Sequence, residues 1–239
     1  MARRFIIDKS IEVGEIFDVF GEEAKHITVL RHNVGDKILI NDKICEIKNI
    51  TKQGIACLAL ERAEECGVPD TKITLFQALL KSDKMEYVIQ KSVELGVYKI
   101  EPFVSKNVVV KLDDKDKVKK NERWNKISLE ASKQCGRSDV VRIENVNSFS
   151  GMLNKLEEFE LVIIAYENET NSLKNIIRKN LEFKNIAIII GAEGGFEKGE
   201  VEEVLKNKSS VSVSLGKRIL RAETASLNLL SILMYEFEM

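Results

Sequence analysis

The 239-residue chain has only two prolines and four cysteines, and nowhere an apolar run approaching the length that crosses a bilayer. The cysteines, Cys45, Cys57, Cys66 and Cys135, are far apart and contain no C-x-x-C pair. Neither a zinc knuckle nor a dithiol redox centre is therefore signalled, and the four read as small buried hydrophobes. The opening "MARRFIIDKS" has two arginines but lacks the apolar core and small-residue cleavage site of a secretory leader. A soluble cytoplasmic protein without a membrane partner is the expectation. An excess of one charge is also missing: 37 Lys and Arg face 38 Asp and Glu, so bulk charge draws no nucleic acid from a distance and any such contact must be local. There is no internal repeat, and a charged fraction of 31% with so little proline fits a compact, polar-surfaced chain.

Residues 1–69 carry short apolar runs broken by turn signals: "RRFIID", "HITVLR", "DKILIND", "ICEIKNI" and "GIACLALERA". They predict a small β-rich domain, with tight turns at Asn41-Asp42-Lys43 and Lys52-Gln53-Gly54. Gly67 and Pro69 supply a linker. From residue 70 to 239 strands alternate with amphipathic helices, the pattern of an α/β domain with a largely parallel sheet. "KITLFQAL", "YKIEPFVS", "LVIIAY", "NIAIII" and "VSVSL" are the strands, several apolar enough to be buried on both faces. "SDKMEYVIQKSVELGV" is a helix capped by Ser82 or Asp83, with Met85, Val88, Ile89 and Val93 inward and Gly96 as its stop. "NERWNKISLEASKQCGR", "SLKNIIRKN" and "EKGEVEEVLKN" are further helices. The last, "AETASLNLLSILMYEF", is apolar on nearly every face, which asks for cover from its own sheet and from a partner subunit; a homodimer is expected, the alternative being a monomer that buries the helix internally.

Two loops carry the candidate chemistry. "GAEGGFEKGE" follows the strand "NIAIII". It lacks the Lys-Ser/Thr pair of a P-loop, because Gly199 follows Lys198, and its glycines have the wrong spacing for a dinucleotide fingerprint. Glu193 and Glu197 put negative charge where a phosphate would want donors. What remains is a glycine loop at the carboxyl end of a buried strand, suited to a neutral or cationic ligand read through main-chain groups, such as adenosine or a sulfonium. Taken by itself, it is as well explained by a tight turn. About twenty residues on comes "GKRILRAETASLNLL", in which Lys217, Arg218 and Arg221 crowd together just before a helix start. Such a cluster suits an RNA phosphate or an electron-rich base, while its plainer reading is a solvated turn with Arg221 paired to Glu223.

"KMEYVIQKSVELGV", "IIGAEGGF" and "LGKRILRAETA", in this order and spacing, resemble the bacterial 16S ribosomal RNA (uracil-N3) methyltransferases of the SPOUT superfamily, and "KHITVLRHNVGDKILI" is similar to their N-terminal domain. The likeness spans almost the whole chain. It implies a SPOUT-type trefoil-knotted α/β domain over 70–239 and a small N-terminal PUA-like or OB-like β-barrel domain over 1–69 that binds RNA. It also implies a homodimer, S-adenosylmethionine as cofactor, and 16S ribosomal RNA, within the small ribosomal subunit, as partner. Carried over, the cofactor residues are Ala165, Gly191, Glu193, Gly194, Gly195, Leu215, Gly216, Ile219, Leu220 and Thr224. Arg221 and Glu223 are the catalytic pair, and Arg137 and Arg218 are RNA contacts. In the small domain Arg3, Arg4, Lys25 and Arg31 are candidate RNA phosphate contacts, the plainer reading being ordinary surface. Ala192 stands where the family usually has proline.

Uracil N3 carries a proton that must leave before it can attack a sulfonium methyl. Arg221 near the base's carbonyl oxygens would stabilise the anion. Glu223 either accepts the proton or orients Arg221, and the residues leave both open. No metal is required. His26 and His32 fall outside these motifs. Two other readings compete: a non-catalytic RNA-binding or assembly factor on a dead cofactor fold, and an ordinary nucleotide-dependent α/β enzyme, the latter disfavoured by the missing phosphate motifs.

Overall fold

The computed structural model of the chain describes residues 4–64, 66–81, 83–177 and 182–238. Arg3 and the alternative helix cap Ser82 lie outside the described residues. The chain divides into two compact units: residues up to Val68 with Ser132–Val140, and Pro69–Ala131 with the residues from Val141 on.

The first unit contains β1 (Arg4–Phe5), β2 (Ile16–Val19), α1 (Gly21–Val29), β3 (Lys37–Ile40), β4 (Lys43–Ile50) and β5 (Ile55–Arg62). They form one five-stranded sheet in the order β1-β3-β4-β5-β2, antiparallel except for the β1/β3 pair. Alternation decides the inner face: Cys45 and Ile47 of β4, and Ile55, Cys57 and Ala59 of β5, join Phe5, Phe17 and Ile40 in the core. The β3–β4 hairpin turns on Asn41, which takes φ +52, a conformation that suits asparagine. Its side-chain amide donates to Ile7 O at 3.1 Å and Lys9 O at 2.8 Å, tying the N-terminal segment down. "HITVLR" departs from the expectation of a strand. Ala24 and Ile27, three apart, are buried on one side of α1 while Glu22 and Glu23 occupy its first turn, so one-sided packing outweighs the β-branched composition.

Two of the four cysteines behave as expected. Burial pushes the Cys45 thiol up to about 11 and the Cys57 thiol up to about 12. Cys66 is exposed and Cys135 only partly covered, because both lie where short segments join the unit rather than on its inner strand faces.

The second unit contains β6 (Lys72–Ala78), α2 (Asp83–Glu94), β7 (Lys99–Val104), α3 (Asp114–Cys135), β8 (Arg142–Ile143), β9 (Asn147–Ser148), α4 (Phe149–Leu153), β10 (Leu161–Ala165), α5 (Lys174–Ile177), β11 (Asn185–Ile190), α6 (Lys198–Leu205), β12 (Ser210–Val213) and α7 (Ala222–Glu238). The last turn of α3 groups with the first unit. The sheet order is β12-β10-β11-β6-β7-β8, with β9 also beside β7, and every pairing is parallel. Ile186–Ile190 and Ile73–Ala78 are buried, as continuous apolar runs at the centre of a two-sided sheet must be.

The chain leaves β6 through α2 toward β7, on one side, and leaves β11 through α6 toward β12, on the other. Adjacent strands whose connections diverge open a crevice at their carboxyl ends, the place where open α/β sheets bind ligands. The helix α7 packs on α2, β6 and β11. Its buried side comprises Ala222, Ala225, Ser226, Leu229, Leu230, Leu233 and Met234, whereas Thr224, Asn228, Ser231 and Tyr235 are exposed. Its own unit thus covers the broad apolar side, as expected of the sheet, and α2 shares in that cover.

Candidate functional site

At the carboxyl ends of β10, β11 and β12 three loops enclose a cavity of about 580 Å³. Ala165, Tyr166 and Glu167 come from the first loop, Ile190 to Phe196 from the second and Ser214 to Arg221 from the third; Lys84 of α2 and Ala222 and Ala225 of α7 close it. Parallel pairing explains the meeting: Ile164 is level with Ile189 of β11 and with Ser212 of β12, so all three strands end at one edge.

Each loop is held by its neighbours. Glu169 accepts a short hydrogen bond from the Ser212 hydroxyl and further bonds from the Thr170 and Asn171 N–H groups at 2.7 and 3.0 Å, binding the β10 loop to β12. The Ser212 bond, with the two amides, holds the Glu169 carboxyl below the usual range. Asn107 donates to Gly194 O at 3.0 Å, and buried Glu200 accepts from Lys106 N and Glu197 N at 2.9 and 3.0 Å, which anchors the β11 loop and the start of α6 to the segment after β7. Gly195 has φ +63, and a Cβ there would come within 2.6 Å of Glu167 Oε1. The positive φ favours glycine at this point, since Glu167 could turn aside from a Cβ. In the third loop Gly216 takes φ +121.

The buried amide of Gln77, at the end of β6, links the elements. Its Nε2 donates to Ala78 O at 3.0 Å and to Gly191 O at 3.3 Å, and its Oε1 accepts from Ser226 of α7. A strand end, the glycine loop and the C-terminal helix are thereby joined through one side chain. Neither Gln77 nor Ser226 was marked by the sequence reading, since a lone amide in an apolar strand has no motif.

Charge is divided across the cavity. Glu193 accepts from Lys81 N and from Lys84 Nζ, both at 3.3 Å, and Lys84 also lies 3.8 Å from Glu223 Oε2. Burial pushes the Glu193 carboxyl up, but its own backbone N–H, that of Lys81 and the Lys84 ammonium outweigh it and hold the carboxyl below the usual range. Lys84, unmarked in the sequence beyond its place in a helix, thus serves both acidic residues. Arg221 is not paired to Glu223, and neither it nor Lys217 or Arg218 has an ion-pair partner among the described residues. Three unneutralised cations therefore border one side.

Every expected cofactor residue except Thr224 lines the cavity, as do Arg218 and Arg221. Thr224 is exposed on the first turn of α7, and Glu223 does not line the cavity; its Oε2 is buried and without a hydrogen-bond partner among the described residues. Of the expected RNA contacts, Lys25 and Arg31 are exposed. Arg4 and Arg137 are each 2% exposed, which corrects their assignment as phosphate contacts: Arg4 Nη1 donates to Asn41 O at 2.8 Å, and Arg137 grips Asp139 at 2.9 and 3.0 Å. Guanidinium groups buried in this way serve the first unit's own packing. Among the described residues no group of three or more His, Cys, Asp or Glu gathers to hold a metal ion, and no helix is long and apolar enough to cross a membrane.

A family profile described as the RNA methyltransferase domain matches residues 68–234. The class defined by this fold and cavity is thus that of RNA methyltransferases. The ribosomal RNA small subunit methyltransferase E of Bacillus subtilis (strain 168) is 37% identical over 252 residues, covering 100% of this chain and 98% of that one. Its counterpart in Aquifex aeolicus (strain VF5) is 32% identical over 217 residues, covering 89% and 91%. The chain belongs to the ribosomal RNA small subunit methyltransferase E family. The crystal structure of the Neisseria gonorrhoeae member, bound to S-adenosyl methionine, is similar with a TM-score of 0.85 over 98% of each chain at 26% identity.

Replacing Gln77 by leucine keeps the volume roughly constant but strips Gly191 O of a buried donor. The expected cost is about 1–3 kcal/mol of unfolding free energy, read from urea denaturation of the full chain; an unchanged midpoint would show that the amide does not hold the loop.

Proposed function

We propose that the chain transfers a methyl group from S-adenosylmethionine to N3 of a specific uridine in 16S ribosomal RNA of the small ribosomal subunit, acting in the cytoplasm. The observation that carries this reading is the single cavity in which the main-chain-rich loops around Gly191–Gly195 and Leu215–Leu220 meet an unpaired Arg221. A sulfonium cofactor fits its chemistry. The volume falls within the range of about 300–1,000 Å³ typical of small-ligand sites, the walls offer backbone groups, and Glu167 and Glu193 face a ligand that carries positive charge.

When bound, S-adenosylmethionine supplies an electrophilic methyl carbon on a sulfonium that departs as a neutral thioether. The work left to the protein is to make N3 nucleophilic. Arg221, at the mouth of α7 and bordered by Arg218 and Lys217, places positive charge where the uracil carbonyl oxygens would take up negative charge as the N3 proton leaves. Lys84 holds Glu193 and lies near Glu223, so both carboxylates are engaged by a cation other than those of the third loop. Glu223 accepts the N3 proton or orients Arg221. The N3 proton would go to Glu223 or, where Glu223 only orients Arg221, to water, which frees the N3 lone pair to take the methyl group.

The same reading includes a trefoil knot in the second unit, a PUA/OB-like barrel in the first that carries RNA through Arg3, Lys25 and Arg31, and a homodimer. Support for the dimer comes from Ile219, 89% exposed, and Tyr235 on the open side of α7. Light scattering of the purified chain is expected to give twice the monomer mass; a monomer at micromolar concentration would remove this part of the reading.

Arg221→Ala should lower methyl transfer roughly 10²- to 10³-fold while calorimetric affinity for S-adenosylmethionine stays near that of the unaltered protein. Transfer at the original rate would refute the role of the guanidinium. The decisive test is mass spectrometry of small-subunit RNA nucleosides from cells lacking the protein. Loss of N3-methyluridine is the expected result, and loss of a different methylated nucleoside would overturn the target.

A further inference from the structure

Another cavity, of about 280 Å³, is lined in part by the segment that follows β6. The same segment contributes to both cavities: the Lys81 N–H donates to Glu193 and Lys84 lines the first, while Lys81 and Met85 line this one. Its apolar walls include Leu80, Met85 and Leu112, and its polar groups are Lys81, Lys120 and Trp124. Trp124 is 3% exposed, and its indole Nε1 is buried without a hydrogen-bond partner among the described residues. An indole N–H shut away from water ordinarily finds an acceptor. Lys81 is exposed, Lys120 half-exposed, and neither has an ion-pair partner among the described residues. The mechanism above uses none of these three side chains.

A ligand for this hollow must bring a hydrogen-bond acceptor on a flat apolar body to the indole, and negative charge to the two ammonium groups. A pyrimidine nucleotide does so, with a ring carbonyl for Trp124 and a phosphate for Lys81 and Lys120. The volume lies close to the lower end, about 300 Å³, of small-ligand pockets. We propose that the cavity at Trp124, Lys81 and Lys120 holds a nucleotide of the RNA strand adjoining the one whose base enters the methyl-transfer cavity. This rests on the reading that the chain methylates RNA. It adds a subsite that would fix the register of the strand, Lys84 lining one cavity and Lys81 the other.

Trp124 is the sole tryptophan of the chain, so its emission reports on this cavity alone. Titrating the full-length protein with an end-labelled oligouridylate should change that emission saturably, in step with the anisotropy of the label. In Lys81→Gln/Lys120→Gln the midpoint should weaken roughly tenfold or more, as two charge-assisted contacts are lost together. The KM for small subunits purified from cells lacking the protein should rise by a similar factor, with kcat and the affinity for S-adenosylmethionine held. Trp124→Phe keeps the ring, removes the donor and should raise the same KM severalfold. Binding of oligouridylate without any change in emission, or variants with an unaltered KM, would overturn the subsite while leaving the methyltransferase reading intact. Emission that follows protein concentration and ignores RNA would assign the hollow to a second copy of the chain and also overturn it. A wild-type protein that neither binds S-adenosylmethionine nor methylates the subunits defeats the proposed function itself, and the subsite with it.

Discussion

Parallel pairing of β10 with both β11 and β12 is the constraint on which the site depends. Because the three strands run in one direction in close register, the segments that leave them emerge at one edge and have no choice but to share space. β6 on the far side of β11 adds a fourth end, from which Gln77 reaches Gly191 O and Ser226. The sheet therefore does more than supply a core. It fixes the relative positions of loops that are 20 to 60 residues apart in sequence, roughly as close as the spacing of neighbouring strands, about 4.8 Å.

The loops themselves are stiffened by polar groups rather than by apolar packing. Glu169, Glu200 and Asn107 each satisfy backbone or hydroxyl groups in a neighbouring segment, and most of these bonds involve charged acceptors, which are stronger than neutral ones. A loop so held can present its own main-chain groups to a ligand without having to be ordered by it, which lowers the cost of binding. The cations of the third loop are left outside this network. Glu193 and Glu223 are engaged by Lys84, so the positive potential of Lys217, Arg218 and Arg221 is not cancelled locally, even though the chain as a whole carries a net charge of -1. A near-neutral protein thus acquires a basic rim where the proposed chemistry needs one.

The two basic residues that moved from surface to interior, Arg4 and Arg137, show how little charge alone says about location. Each is long enough to bury its stem and still find an oxygen, Asn41 O in one case and the Asp139 carboxylate in the other. Their positive charge was visible in the sequence, but the acceptors that retain them were not. The same holds in reverse for Lys84, which reads as an ordinary helix residue until β11 brings Glu193 within 3.3 Å.

What the residues determined by themselves was local and periodic. The runs at 73–78 and 186–190 read as strands, the second apolar enough to be buried on both faces, Met85, Val88, Ile89 and Val93 share one helix face, and the glycines and cations around 191–195 and 215–221 mark two loops. These follow from short-range geometry, the period of 2 in strands and 3.6 in helices, and from the conformational needs of glycine. Tertiary structure alone decided that "HITVLR" is helical, that Thr224 stands outside the cavity while Tyr166, Glu167 and Phe196 stand in it, and that Arg221 lacks the Glu223 partner its neighbourhood suggested. Each of those outcomes depends on which strand lies beside which, and strand order is a property of contacts between segments far apart in the chain, for which a single sequence carries no local signal.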